Sequence, residues 1–146
     1  IRNSRVARSN IKIFAELGAE IILVGPPTLL PEHVGGWPVT LQHDLDEALR
    51  EADVVYLLRI QHERIGDALF PSLREYTARW GLTAERAARL KPDTLVMHPG
   101  PMNRGIEIAD EVADSPRSLV TEQVANGVAV RMAVLYDLLG TGGPVV

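Results

Sequence analysis

Three short stretches of this sequence combine arginine, glycine and proline in ways that suit an anionic, amide-bearing ligand. Arg59 ends the apolar run Val54-Val55-Tyr56-Leu57-Leu58 and is followed by Ile60-Gln61-His62-Glu63-Arg64. A guanidinium placed where a buried strand gives way to solvent can present paired donors to a carboxylate. The alternative is an exposed arginine that merely terminates the strand or pairs with Asp53 or Glu63. Ser4-Arg5, with Arg8 a turn later, opens a helical pattern whose N-terminal amides already favour an anion, so Arg5 is a second candidate clamp. Solvated charges on a short helix are the other reading. His98-Pro99-Gly100-Pro101 closes another apolar run. Two prolines around a glycine remove amide donors and fix the backbone, leaving carbonyl oxygens to accept from a ligand nitrogen. A stiff turn with His98 as a hydrogen-bonded core residue accounts for the same residues. A cis Gly100-Pro101 bond is compatible with either, since cis X-Pro costs only about 0.5–1 kcal/mol.

Other chemistries lack their residues. There is no GxGxxG fingerprint, no P-loop and no G-x-S-x-G elbow, which leaves dinucleotide, nucleotide and serine-hydrolase sites without their usual cradles. The chain has no cysteine, and His33, His43, His62 and His98 are scattered without metal-ligand spacing, so neither metal nor cofactor is expected. Asp44, Asp46, Glu47, Glu107, Asp110 and Glu111 fit helix starts and solvated faces better than acid-base dyads.

These loops need a scaffold, and the apolar pattern supplies one. A helix over 4–17 is capped by Ser4 and stopped by Gly18, with Val6, Ile13, Phe14 and Leu17 on its inner side. A strand over 19–24 follows, halted by Gly25-Pro26-Pro27; Thr28 then caps a helical turn or two reaching Val34. A brief strand over 39–41, a helix over 45–52 capped by Asp44 and a strand over 53–60 repeat the alternation. Residues 61–91 are more polar, with a helix starting at Thr83 and ending near Leu90. A strand over 94–98 leads into the proline turn. The tail, 117–139, is the longest helical pattern, and its apolar residues extend almost all the way round, so it calls for neighbours on two sides. The alternation predicts a three-layer αβα domain with a mostly parallel, Rossmann-like sheet, plus a long C-terminal helix. In such sheets ligands bind beyond the carboxyl ends of the strands, which is where the arginine and proline segments fall.

At 146 residues, 46% apolar and 23% charged, the chain has the composition of one ordinary globular domain. Fifteen Lys and Arg against nineteen Asp and Glu give a net charge of −4, which offers no field to draw in nucleic acid or an anionic membrane. No window approaches the roughly 18 consecutive apolar residues of a membrane span, and the absence of cysteine suits a cytoplasmic protein. A chain that opens on Ile1 and enters a helix at once reads as a piece of something longer, or as one processed at its N-terminus.

In order along the chain, Asn3-Ser4-Arg5-Val6-Ala7-Arg8-Ser9-Asn10, Gly25-Pro26-Pro27-Thr28-Leu29-Leu30-Pro31, Tyr56 to Arg64, Met97 to Ile108 and Gln123 to Ala133 resemble the C-terminal, aspartate-binding portion of aspartate carbamoyltransferase catalytic chains. The resemblance covers almost the whole sequence. It implies a metal-free transfer of the carbamoyl group from carbamoyl phosphate to L-aspartate, giving N-carbamoyl-L-aspartate and phosphate in pyrimidine synthesis. On that resemblance Arg5 grips the aspartate α-carboxylate, Arg59 with Gln61 grips the side-chain carboxylate, and Gly100 and Pro101 offer carbonyls to the carbamoyl amide and the incoming amine. Residues 1–116 become the aspartate-binding domain, and 117–146 the helix and tail that return toward an absent carbamoyl-phosphate domain. The stretch 61–91 becomes a loop that closes over substrate, with Arg64, Arg74 and Arg79 either serving closure or simply solvated.

Where the sequence departs from the family pattern, the expectation narrows. The Ser-Thr-Arg-Thr-Arg phosphate segment and the Arg, His and Gln that polarise the carbamoyl carbonyl are absent, and in the family a further Ser and Lys come from an adjacent subunit. This chain alone therefore holds no complete catalytic set and is expected to be inactive. The partners implied are the N-terminal domain, a homotrimer of full-length chains, and other pyrimidine-pathway or regulatory chains. An ornithine carbamoyltransferase-like enzyme is the nearest alternative, though that family's His-Cys-Leu-Pro turn is not present. A non-catalytic α/β module binding an acidic metabolite is another.

Overall fold

The computed structural model describes residues 4–60 and 72–140. Helix α1 (Arg5–Glu16) starts where Ser4 Oγ accepts the Ala7 amide at 3.1 Å, and Gly18 takes a positive φ just beyond its end. Strands β1 (Ile22–Val24) and β2 (Thr40–Gln42) run parallel, with Leu23 opposite Leu41. Between them the predicted helix over 28–34 shrinks to one 3-10 turn, Pro27–Leu29, preceded by Pro26 rather than capped by Thr28. Helix α2 (Leu45–Glu51) carries the predicted Asp44 cap, whose carboxylate accepts the Glu47 amide. It leads to β3 (Val54–Tyr56), which pairs in parallel with β4 (Leu95–Met97), Val55 opposite Val96. Two further helices, α3 (Leu73–Trp80) and α4 (Ala84–Ala88), stand between them; α5 (Asp110–Ala113) and the 20-residue α6 (Val120–Leu139) follow.

Successive strand residues face opposite sides, and the packing follows that rule. Leu23 joins Ile11 of α1 and Leu30 in one cluster. Val24 instead lies against a second cluster built from Leu45 and Leu49 of α2, Val55, Leu82, Leu90, Val96, Ile108 and Val112. Helices thus cover both faces of parallel strands, as the alternation predicts. Among the described residues the hydrogen-bonded strands form two parallel pairs, β1-β2 and β3-β4, rather than one continuous ladder. Helix α1 spans the two: Ile11 packs with Leu23, while the Phe14 ring meets Tyr56 of β3 edge to face at 6.2 Å.

One apolar expectation is corrected. Val6, Ile13 and Leu17 are exposed, and α1 buries Ala7 and Ile11 instead. None of the α6 residues is buried, so its all-round apolar surface lies open here; the helix touches β4, and its Gln123 reaches Tyr56 of β3. The segment leading into α6 runs alongside β4: the Val96 amide donates to the Arg117 carbonyl, and the Leu119 amide to the Val96 carbonyl. No helix among the described residues is long and apolar enough to cross a membrane.

A buried guanidinium fastens α4 to α2. Arg86 Nε and Nη2 donate to the two oxygens of Asp46, each at 3.0 Å, and Nη1 donates to the Gly81 carbonyl at 2.8 Å. The hydrogen bond from Arg86 holds the Asp46 carboxyl below its ordinary pKa. A depressed carboxyl contributes stability that is present above its unfolded value of about 3.9 and lost as the pH falls through the folded value. Asp46→Asn in the full-length protein should therefore lower stability at pH 7 by about 1–2 kcal/mol, after discounting for the partial exposure of Asp46. The deficit should shrink below pH 4 or so. Urea unfolding across pH checks this, and a deficit that stays constant at low pH would contradict it.

Candidate functional site

The β3-β4 pair delivers two of the predicted segments to one end. Tyr56 is opposite Met97, so Arg59 and Gly100 each lie three residues beyond paired positions. The strand read over 53–60 is therefore shorter than its apolar run: the ladder stops at Tyr56, and residues 57–60 carry Arg59 outward to a half-buried position. The two exit loops are tied together, because Asn103 Nδ2 donates to the Ile60 carbonyl at 2.8 Å. Asp53, one of the two acidic partners considered for Arg59, instead lies 3.2 Å from Lys91 Nζ.

The proline turn is held from beneath. Gly100-Pro101 is cis, and Gly100 has a φ of 63°, a conformation that glycine adopts at little cost. Gly100 is half-buried and Pro101 exposed. His98 proves to be a core residue, and its Nδ1 accepts the Gly100 amide at 2.9 Å. The two readings of this turn are thus compatible. The His98 backbone amide donates to Gln123 Oε1 of α6 at 3.2 Å, and Gln123 Nε2 donates to the Tyr56 hydroxyl at 2.8 Å, joining the ends of β3 and β4 to the final helix.

Arg5 stands on a separate element, exposed as the first residue of α1. Its link to the β3-β4 end runs through the Phe14–Tyr56 contact further along the same helix. Arg8 lies over the Trp37 ring at 5.9 Å. Gln61, His62 and Arg64 lie outside the described residues. The stretch read as a closing loop contains α3 from residue 73 onward, and there Arg79 pairs with Glu75 at 3.4 Å while remaining largely exposed. After β1, the Gly25 carbonyl lies 3.1 Å from His43 Nδ1. Among the described residues no group of three or more His, Asp or Glu side chains is placed to hold a metal ion.

Glu107 corrects the sequence reading most sharply. Assigned to a helix start or solvated face, it is 1% exposed. Its Oε1 accepts the Asn103 amide and lies 3.3 Å from His98 Nε2. Burial, reinforced by the charge of Glu107, pushes the nearby Tyr76 phenol above its ordinary range. The only local hint of this burial is the flanking pair Ile106 and Ile108. Arg104, next in the loop, is occupied elsewhere, with both terminal nitrogens 2.7 Å from the Asp114 carboxylate.

The chain matches the family model described as aspartate/ornithine carbamoyltransferase, Asp/Orn binding domain, over residues 2–138. The aspartate carbamoyltransferase catalytic subunit of Thermobifida fusca is 61% identical over 140 residues, covering 96% of this chain and 45% of that protein. The same subunit of Acidothermus cellulolyticus is 60% identical, covering 99% and 45%. Among solved structures, aspartate transcarbamoylase from Trypanosoma cruzi in complex with carbamoyl phosphate superposes with a TM-score of 0.66 at 31% identity, over 79% of this chain and 39% of that one. Ornithine carbamoyltransferase from Pyrococcus furiosus gives 0.72 at 27% identity, over 89% and 45%. The chain thus spans a little under half the length of the curated relatives it matches. The chain belongs to the aspartate/ornithine carbamoyltransferase family, in which it corresponds to the Asp/Orn-binding domain.

Proposed function

We propose that this chain supplies the L-aspartate-binding half of an aspartate carbamoyltransferase, which moves the carbamoyl group of carbamoyl phosphate onto the amine of L-aspartate. The products are N-carbamoyl-L-aspartate and phosphate, in de novo pyrimidine biosynthesis. The observation that carries the reading is the convergence of Arg59 and the Gly100-Pro101 turn at one end of β3-β4, tied by Asn103. Arg5 binds the α-carboxylate of aspartate, and Arg59 with Gln61 binds its side-chain carboxylate, because a dianion is held best by two fixed cations. The carbonyls of Gly100 and Pro101 accept from the carbamoyl amide and the attacking amine. Catalysis is then mainly orientation of the amine, with charge on the tetrahedral oxyanion stabilised by groups outside this chain. Relatives about 60% identical that are named for aspartate favour that amino acid over ornithine.

In this reading residues 1–116 form the aspartate-binding domain, and 117–146 return to a carbamoyl-phosphate domain in the rest of the full-length protein. The open apolar surface of α6 supports that division. The full-length protein works as a cytoplasmic homotrimer, with other pyrimidine-pathway or regulatory chains as further partners. The test is carbamoyl transfer by full-length protein offered L-aspartate or L-ornithine. Carbamoyl-aspartate should form and ornithine should not react, and this chain alone should give no product. Preference for ornithine, or turnover by the 146-residue chain, would overturn the assignment.

A further inference from the structure

Beneath the proline turn lies a buried pair that the substrate clamp does not use. His98 and Glu107 are 0% and 1% exposed, with Nε2 of the ring 3.3 Å from Oε1 of the carboxylate. A neutral imidazole has one donor and one acceptor nitrogen. Here Nδ1 accepts the Gly100 amide at 2.9 Å, which assigns the ring proton to Nε2; that nitrogen makes no hydrogen bond and faces Glu107 Oε1 as a charge contact. An ionised carboxylate can only accept, and it therefore favours that tautomer. The same Oε1 accepts the Asn103 amide. The pair thus holds the backbone at residue 100 through His98 and at residue 103 through Glu107. The carbonyls of Gly100 and Pro101 lie between these two fixed points.

We propose that Glu107 and His98 are positioning residues: the carboxylate sets the imidazole tautomer, and the imidazole then aims the Gly100-Pro101 carbonyls at the reacting amide and amine. This rests on the proposed role of the turn. Without the acceptor at Nδ1, Gly100 regains the backbone freedom that a glycine has on both sides of φ = 0, and the carbonyls lose their fixed direction. Packing alone would make no distinction between side chains of similar volume with and without an acceptor at that place.

The experiment compares full-length wild type with Glu107→Gln, His98→Leu and His98→Asn. Glu107→Gln keeps an oxygen that can accept the Asn103 amide but removes the negative charge facing Nε2, so the ring proton loses its preference for Nε2 and, when on Nδ1, opposes the Gly100 amide. His98→Asn keeps an acceptor near the Nδ1 position, whereas His98→Leu removes it. Glu107→Gln and His98→Leu should lower kcat by about 30-fold or more, as misplacement of a reacting group by about an ångström does. The KM for aspartate should stay within about threefold, and His98→Asn should recover most of the loss. Hydrogen exchange provides a readout that needs no substrate. Peptides spanning 98–104 contain few exchangeable amides because of Pro99 and Pro101. The Gly100 amide should exchange about tenfold faster or more in Glu107→Gln, although Glu107 does not touch it. Unchanged Gly100 exchange in Glu107→Gln would overturn the proposal, as would wild-type kcat in folded His98→Leu or equal losses in His98→Leu and His98→Asn. Wild type that fails to carbamoylate aspartate would instead overturn the proposed function, leaving exchange to decide the tautomer pair.

Discussion

Arg59→Ala in the full-length protein should weaken binding of L-aspartate, or of its unreactive analogue succinate, while leaving carbamoyl phosphate affinity within about twofold of wild type. A charge-assisted hydrogen bond contributes about 1.5–3 kcal/mol, so the loss corresponds to roughly 10- to 150-fold in Kd. The upper part of that range applies, because Arg59 is half-buried, three residues beyond the end of β3, where a guanidinium loses less side-chain freedom on binding than a fully exposed one. Arg59→Lys should recover little, since an ammonium cannot present the paired donors of a guanidinium. Arg5→Ala should produce a similar but smaller loss, because Arg5 is exposed on the first turn of α1 and holds its geometry less firmly. Calorimetric titration with succinate measures both. Undiminished succinate binding in Arg59→Ala would remove the dicarboxylate clamp from the reading, whatever the enzyme assay shows.

The parts of this architecture that were legible in the sequence are those set by local chemistry. Ser4 and Asp44 cap the helices they were assigned to, and the helix read as starting at Thr83 has that residue as its cap, since a short side-chain oxygen satisfying an orphan amide is a property of a few adjacent residues; the cap read at Thr28 is not formed. Helix α3 lies in a stretch that its polarity alone marks as a loop. Its start was nonetheless written in Ser72 and Glu75, a Ser-x-x-Glu pattern of the capping-box type, and Ser72 Oγ does accept the Glu75 amide. Burial was harder to read, because it depends on partners. Ile13 and Leu17 of α1 look like core residues by size yet are exposed, while the small Ala7 is buried. Strand length is hard to read for the same reason: the apolar run 54–58 outlasts the ladder, which ends at Tyr56 opposite Met97. At the site, Arg59 and the proline turn could be found from residue type and position. Glu107 could not, because only the tertiary contact with His98 shows that this carboxylate lies inside the core.

Gly81→Ala should be among the most damaging single-atom changes in the domain. A Cβ at this position would lie 2.6 Å from the Ile106 carbonyl oxygen and 2.7 Å from the Thr77 carbonyl oxygen. Both are backbone atoms, so no rotamer change relieves the overlap. The backbone of Gly81 itself is ordinary, with φ at −76°; the glycine is required by the close approach. Overpacking of this kind costs about 1–3 kcal/mol, and more where the neighbours cannot move. Here they are pinned. The Leu82 amide donates to the Glu107 carbonyl at 2.9 Å, and the Ala109 amide donates to the Leu82 carbonyl at 3.0 Å. Leu82 and Ile108 beside them are fully buried, and the Gly81 carbonyl accepts from Arg86. Whatever yields must therefore displace the end of α3 or the segment 106–108 that carries Glu107. Urea unfolding of the full-length variant should show the lost stability, and a midpoint equal to wild type would contradict the packing argument. If the segment 106–108 moves, kcat should also fall under conditions where the variant remains fully folded, because the carboxylate that holds His98 shifts with it. If α3 moves instead, stability alone should suffer, so the two measurements together locate which side of the contact is the stiffer.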